Sequence, residues 1–219
     1  MTRIAFINPN STTAMTESCS KSFATRLSED FSVEAITNFQ APTAIQGPED
    51  GELAVPGVLE IISGSDFDAY VIACFDDTGL AEARAITSKP VIGIGQASFH
   101  LAALSAGRFS VLTTLAVSVP VIRDNIEAQG FSRICDGVYA SGVPVLELEN
   151  MPDKSCKTVS AHLKKIAIQS PTNVVILGCA GMTNIWSKLQ PEHQITLIDP
   201  VAAAARLVPV LTCSFARGI

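Results

Sequence analysis

The stretch Ala69-Tyr70-Val71-Ile72-Ala73-Cys74-Phe75-Asp76-Asp77-Thr78-Gly79-Leu80 decides the fold. It opens on an uninterrupted apolar run, which suits a strand buried on both faces of a parallel sheet. The run stops at a cysteine. Asp76, Asp77 and Thr78 follow, and these are residue types that open helices. A second stretch repeats the design: Val174-Val175-Ile176-Leu177-Gly178-Cys179-Ala180-Gly181-Met182-Thr183-Asn184-Ile185. The two cysteines lie 105 positions apart (179 − 74), and Thr78 and Thr183 keep the same offset. Arg3 with Arg108, Ile61 with Ile166, and segment 91–94 with 196–199 keep it as well, without a gap.

Working outward from the first cysteine, the pattern predicts strands at 3–8 and 33–37 and helices at about 13–27 and 52–63 before it. Phe39–Asp50, rich in Pro, Gly and Gln, reads as a loop. After it come a helix at 80–88, a strand at 90–94 and a helix at 98–106, ending at Gly107. The second half restarts with a strand at 108–112 and a helix at 119–129, with Pro120 in its first turn. A short strand near Val138 and a loop with Gly142, Pro144, Glu147 and Glu149 lead to a helix at 154–169. The Cys179 strand, a strand at 195–198 and a helix at 201–215 complete the chain. Each half reads βαβαβαβα. The expected fold is α/β: two pseudo-symmetric domains, each a parallel sheet flanked by helices.

Composition narrows the function. The chain has 219 residues, 47% hydrophobic and 16% charged, with a net charge of −6. That is a globular composition. It offers no basic patch for nucleic acid or an anionic membrane. Lys154, Lys157, Lys164 and Lys165 are spaced as the wet face of one helix. The N-terminal apolar run is too short for a signal peptide, and no uncharged apolar run reaches spanning length. A cytoplasmic protein with reduced cysteines is expected. The six cysteines show no CxxC pair and no zinc spacing, and no metal site is expected. Cys19, Cys135, Cys156 and Cys213 have no echo across the repeat and read as packing or surface thiols. No P-loop or GxGxxG occurs, and Gly93-Ile94-Gly95-Gln96 reads as a strand-end turn. His100, His162 and His193 fall in or beside helices, away from strand ends, which disfavours a Cys–His nucleophile pair.

Ligands of open parallel sheets bind beyond the carboxyl ends of the strands. Cys74 and Cys179 both stand there. If the halves face each other, two thiols flank one cleft, the arrangement for proton exchange on opposite faces of one carbon. A helix N-terminus after each cysteine is expected to favour the thiolate, with Thr78 and Thr183 as caps. Asp76 and Asp77 act the other way. The competing reading, inherited packing cysteines, leaves the repeated flanking residues unexplained. A redox disulfide lacks its signature.

Asn8-Pro9-Asn10-Ser11-Thr12, Ala73-Cys74-Phe75-Asp76-Asp77, Phe109-Ser110-Val111-Leu112-Thr113-Thr114 and Leu177-Gly178-Cys179-Ala180-Gly181-Met182 resemble the Asp/Glu/hydantoin racemase superfamily. Among its branches they are most similar to the hydantoin racemases, with allantoin racemases close by. The resemblance spans nearly the whole chain. It implies a cofactor-independent racemase with Cys74 and Cys179 as the acid–base pair, in a homo-oligomer. It also implies a C-terminal helix that returns to the first domain, so domains of about 1–96 plus 200–219, and 97–199, are expected.

The strand-end loops carry no Lys or Arg, which disfavours a dicarboxylate such as aspartate or glutamate. They suit a neutral cyclic diamide, a 5-substituted hydantoin or allantoin. Asn8, Asn10, Thr113 and Thr114 are candidates for substrate contact or for turn and cap residues. Gln96 is a further candidate. Backbone N–H groups of Ala180 and Gly181, and of Phe75 and Asp76 opposite, are candidates to hold a ring carbonyl and the enolate it becomes. The loops at 39–51 and 142–151 are expected to select the C5 substituent. A decarboxylase needing only the second cysteine and a non-catalytic binding protein are the remaining alternatives.

Overall fold

A computed structural model describes residues 1–216; positions 217–219 of the expected first domain lie outside the described residues. In the first half β1 (Thr2–Asn8), α1 (Thr13–Ala24), β2 (Phe31–Thr37), α2 (Pro48–Ser63), β3 (Ala69–Ile72), α3 (Leu80–Ile86), β4 (Val91–Gly93) and α4 (Ile94–Ala106) follow in order. The second half gives β5 (Phe109–Thr113), α5 (Val119–Ala128), β6 (Cys135–Ala140), α6 (Val145–Asn150), α7 (Pro152–Gln169), β7 (Val174–Gly178), α8 (Thr183–Leu189), β8 (Thr196–Ile198) and α9 (Pro200–Ala216). The strand orders are β2-β1-β3-β4 and β6-β5-β7-β8, all pairings being parallel. The two sheets therefore share one topology, as the repeat predicts.

The inner strands explain themselves. Every residue of β3, β5 and β7 is buried, because helices cover both faces of each sheet. On β1, Ile4 and Phe6 point into a core that runs through both halves, while Ala5 and Ile7 face a smaller cluster with Val58, Ile62, Tyr70 and Ile72. Phe99 of α4 joins the halves: it stacks on Phe109 at 5.8 Å and meets the edge of Phe75 at 5.6 Å. Helix α9 packs on α1 and α4, burying Ala203, Ala204, Ala205 and Val208.

Three boundaries differ from expectation. Helix α4 starts directly at the end of β4, so the loop expected between 94 and 98 is helix, and the expected domain division at 96/97 falls inside it. Helix α2 begins at Pro48, in its first turn, rather than near 52. The segment expected as a loop at 142–151 contains α6, started by Pro144 and Val145.

Candidate active site

The ends of β3 and β7 bring the two repeated cysteines to one cavity. Its walls are Asn10 and Met15 from the β1–α1 turn, Ile45, Ala73 to Asp76, Thr113, Thr114 and Ser118, Val145, and Gly178 to Ala180. Cys74 follows β3 by two residues and Cys179 follows β7 directly. The cavity is narrow, with Cys179 buried and Cys74 partly exposed on its wall. No Lys or Arg lines it.

Hydrogen bonds tie the two halves together around the cavity. The Val145 N–H at the start of α6 donates to Gln46 Oε1 of the first half at 3.1 Å. At the other end of α6, Glu149 Oε1 accepts from Ser18 Oγ of α1 at 3.1 Å and from Asn184 Nδ2 of α8 at 2.7 Å. Asn125 of α5 donates to the Asp76 carbonyl at 2.8 Å, tying the Cys74 loop to the second half.

The thiols do not have the low pKa expected of cysteines at helix starts. Burial pushes Cys179 up to about 12, against N–H groups of Gly181 and Met182 that favour its anion. Burial pushes Cys74 higher still, with the charge of Asp76 adding to the rise and the Thr78 hydroxyl opposing it. At these buried sulfurs, loss of water outweighs a turn's worth of N–H dipoles. Burial also lifts Asp76, to about 7.

Neither threonine caps its helix. Thr183 Oγ1 donates to Asp199 Oδ1 at 2.7 Å, and α3 starts instead at Gly79, in the left-handed region at φ 76°. Thr78 is 6% exposed and its hydroxyl faces the Cys74 thiol. The loop carboxylate that does cap a helix is Asp77: its oxygens accept from the Gly95 and Gln96 N–H groups at 2.9 and 2.8 Å, the start of α4. Asp77 is the one non-glycine residue with positive φ among those described, at 51°. Gly93 and Gly95 make room for it, since a Cβ on either would stand within about 3.0 Å of its carboxylate. The Gly93-Ile94-Gly95-Gln96 turn is thus the seat of a cap.

The other candidates divide. Asn10, Phe75, Asp76, Thr113, Thr114 and Ala180 line the cavity. Asn10 donates to the Met15 thioether at 3.3 Å, a weak acceptor that a carbonyl could replace. Thr113 Oγ1 is already committed to the Gly178 carbonyl at 2.9 Å. Asn8 lies one layer deeper, donating to Asn10 Oδ1, the Thr12 carbonyl and Thr16 Oγ1, so it braces the turn that carries Asn10. The Gly181 N–H is turned to the Cys179 sulfur rather than to open space. Gln96 stands apart from the thiols, accepting from Arg84 on the wall of a neighbouring cavity. Cys19, read as packing, does sit under the site and donates to the Ala180 carbonyl at 3.5 Å. Met15, Ile45, Ser118 and Val145 went unpredicted. The last two apolar ones lie in the two loops expected to contact the substrate, but nothing in their local sequence singled them out. Among the described residues no group of three or more His, Cys, Asp and Glu could hold a metal ion.

Two parallel sheets thus present paired strand-end thiols to a shared cavity that no Lys or Arg lines. A sequence profile described as Asp/Glu/Hydantoin racemase matches residues 4–208. The hydantoin racemase of Rhizobium meliloti is 39% identical, over 95% of this chain and 88% of its own length. That of Pseudomonas sp. (strain NS671) is 31% identical, over 95% and 85%. The structure of the allantoin racemase from Klebsiella pneumoniae matches with a TM-score of 0.92 at 33% identity, covering 97% of this chain and 88% of that one. The chain belongs to the Asp/Glu/hydantoin racemase family, and it is an isomerase of the racemase class.

Proposed function

We propose that the protein racemises 5-substituted hydantoins without a cofactor, by proton transfer between C5 and the two thiols Cys74 and Cys179. The observation that carries this reading is the placement of both sulfurs on one small cavity, at equivalent ends of two equivalent sheets. One sulfur, as thiolate, takes the C5 proton; the other thiol delivers a proton to the opposite face, and the carbon inverts. Electron density left at C5 flows to the neighbouring ring carbonyl, whose oxygen needs a donor. Asn10, Thr114 and Ser118, which line the cavity and carry side-chain donors, are the candidates for that contact. The lack of any cation there favours a neutral ring over an amino-acid dicarboxylate. Met15, Ile45 and Val145 supply apolar surface for the C5 substituent. The allantoin racemase relatives favour a second reading in which the ring is allantoin. We further propose that the enzyme works in the cytoplasm as a homo-oligomer.

Enantiopure 5-substituted hydantoin and enantiopure allantoin, followed separately by optical rotation in D₂O, test the substrate. Rotation loss with deuterium at C5 is expected for one or both. Racemisation of aspartate or glutamate alone would overturn the neutral-ring reading. Cys74→Ser and Cys179→Ser are each expected to lower racemisation by about 10³-fold or more. Each variant retains C5 exchange for one enantiomer, and the two variants choose opposite enantiomers. A single variant that keeps most of its racemisation refutes the paired-thiol mechanism.

A further inference from the structure

Asp76 has a position that the acid–base roles of the two cysteines do not explain. It lines two cavities at once: the thiol cavity, and a more open one of about 430 Å³ beside it, walled by α2, α3 and α5. Among the described residues its carboxylate has no hydrogen bond and no ion pair, whereas the adjacent Asp77 carboxylate is fully engaged as a helix cap. A half-buried carboxylate without donors, set where two thiols meet, has an unsatisfied appetite for a proton.

We propose that Asp76 is a shared proton carrier that activates whichever thiol faces the C5 hydrogen and afterwards restores the opposite one. This rests on Cys74 and Cys179 being the acid–base pair. At rest both sulfurs are protonated and Asp76 is the anion, so three groups hold two protons. In the forward step an S–H bond of one cysteine breaks and an O–H bond forms on Asp76, leaving a thiolate. That thiolate takes the C5 proton while the second thiol gives its proton to the other face. The second sulfur is now the anion; the Asp76 O–H breaks and that S–H re-forms. The cycle closes with no net gain or loss of protons, and it serves both directions because Asp76 and both cysteines line the same small cavity.

The electrostatics agree with the geometry. The Asp76 charge raises both thiols, as a shared negative neighbour must. The other charged groups around it are Asp77 on its own loop, Glu82 and Arg84 on α3, and Glu52 on α2; α5 contributes the uncharged Asn125. Arg84 is held away by the Val91 carbonyl, at 2.8 Å, and by Gln96. Asp76 and Asp77, both raised by burial to about 7, are the groups of this set that change charge near neutrality, and of the two Asp76 lines the thiol cavity while Asp77 is spent as the cap of α4.

The test is the pH profile of kcat/KM. In the wild type the rate should rise up to about pH 7, as the set acquires its single negative charge, and then change less than about threefold between pH 7.5 and 9. In Asp76→Asn the plateau should vanish, and kcat/KM should climb about tenfold per pH unit over the same range, because each thiolate must form by loss of a proton to solvent. Asp76→Glu should keep the plateau. In Asp76→Ala, formate offered through the outer cavity should raise the rate saturably at pH 7.5. A wild-type profile that climbs steadily through pH 9, or an Asp76→Asn enzyme that keeps the wild-type plateau, overturns the proposal. Either result leaves the thiol pair standing, whereas failure of the serine variants to lose racemisation removes the pair itself.

Discussion

Replacing Gly93 by alanine should cost far more than a methyl group usually does. Gly93 has φ −91° and ψ 149°, which any residue adopts, so the backbone raises no objection. With nothing nearby, Gly→Ala would stabilise by up to about 1 kcal/mol through the unfolded chain. Here the new Cβ would fall within 3.0 Å of the Asp77 carboxylate. That carboxylate cannot retreat without releasing the Gly95 and Gln96 N–H groups, which it accepts at 2.9 and 2.8 Å. A lost N-cap costs about 0.5–2 kcal/mol, and a hydrogen bond to a charged group about 1.5–3. The two overlap, so about 2–4 kcal/mol is expected for Gly93→Ala. Urea unfolding of a double-mutant cycle isolates the cause. In an Asp77→Gly background, which also removes the Asp77 Cβ that would stand 3.1 Å from the new methyl, Gly93→Ala should be neutral or slightly stabilising. If it costs as much there as in the wild type, the cap is not what Gly93 protects.

Stability should also depend on pH in an unusual sense. Burial raises Asp76 and Asp77 to about 7 from 3.8, so between those values the folded chain binds more protons than the unfolded one, and stability falls as pH rises to about 7. Asp76→Asn should remove its share, on the order of 2 kcal/mol above pH 7 for a half-buried group. Melting curves from pH 5 to 8 that run parallel for the two proteins would contradict this. Glu149→Ala unfastens one end of α6 by removing the acceptor shared by Ser18 and Asn184. Faster amide exchange over 145–150 and a several-fold higher KM, with kcat within about twofold, are expected; unchanged exchange would show that α6 is held elsewhere.

What the sequence disclosed follows from which interactions are local. The buried runs 69–72 and 174–178 and the 105-residue offset are properties of neighbouring residues and of a repeat, so sheet topology and thiol placement were legible. Met15, Ile45, Ser118 and Val145 reach the cavity from four separate segments, which only the packed structure joins. Thr78 and Thr183 have the right residue type for caps, yet Asp199 claims the Thr183 hydroxyl from 16 residues away. The same nonlocality misled the thiol pKa: helix-start residues were visible at Cys179, but the desolvation that dominates comes from burial by residues distant in sequence, Met15, Ile45 and Val145 among those around the cavity.

The two halves repeat in outline but not in detail. Backbone N–H groups of Gly181 and Met182 favour the Cys179 anion; beside Cys74 one such group, of Asp76, and the Thr78 hydroxyl do so. Mirror-image substrates have identical free energies in water, so racemisation has an equilibrium constant of one. The Haldane relation then requires equal kcat/KM for the two enantiomers, however different the sulfurs are. The asymmetry can surface only as kcat and KM moving together, with one enantiomer held more tightly and turned over more slowly. Evolution of either half can therefore tune how full the site is with each hand, and can never give the enzyme a preferred direction.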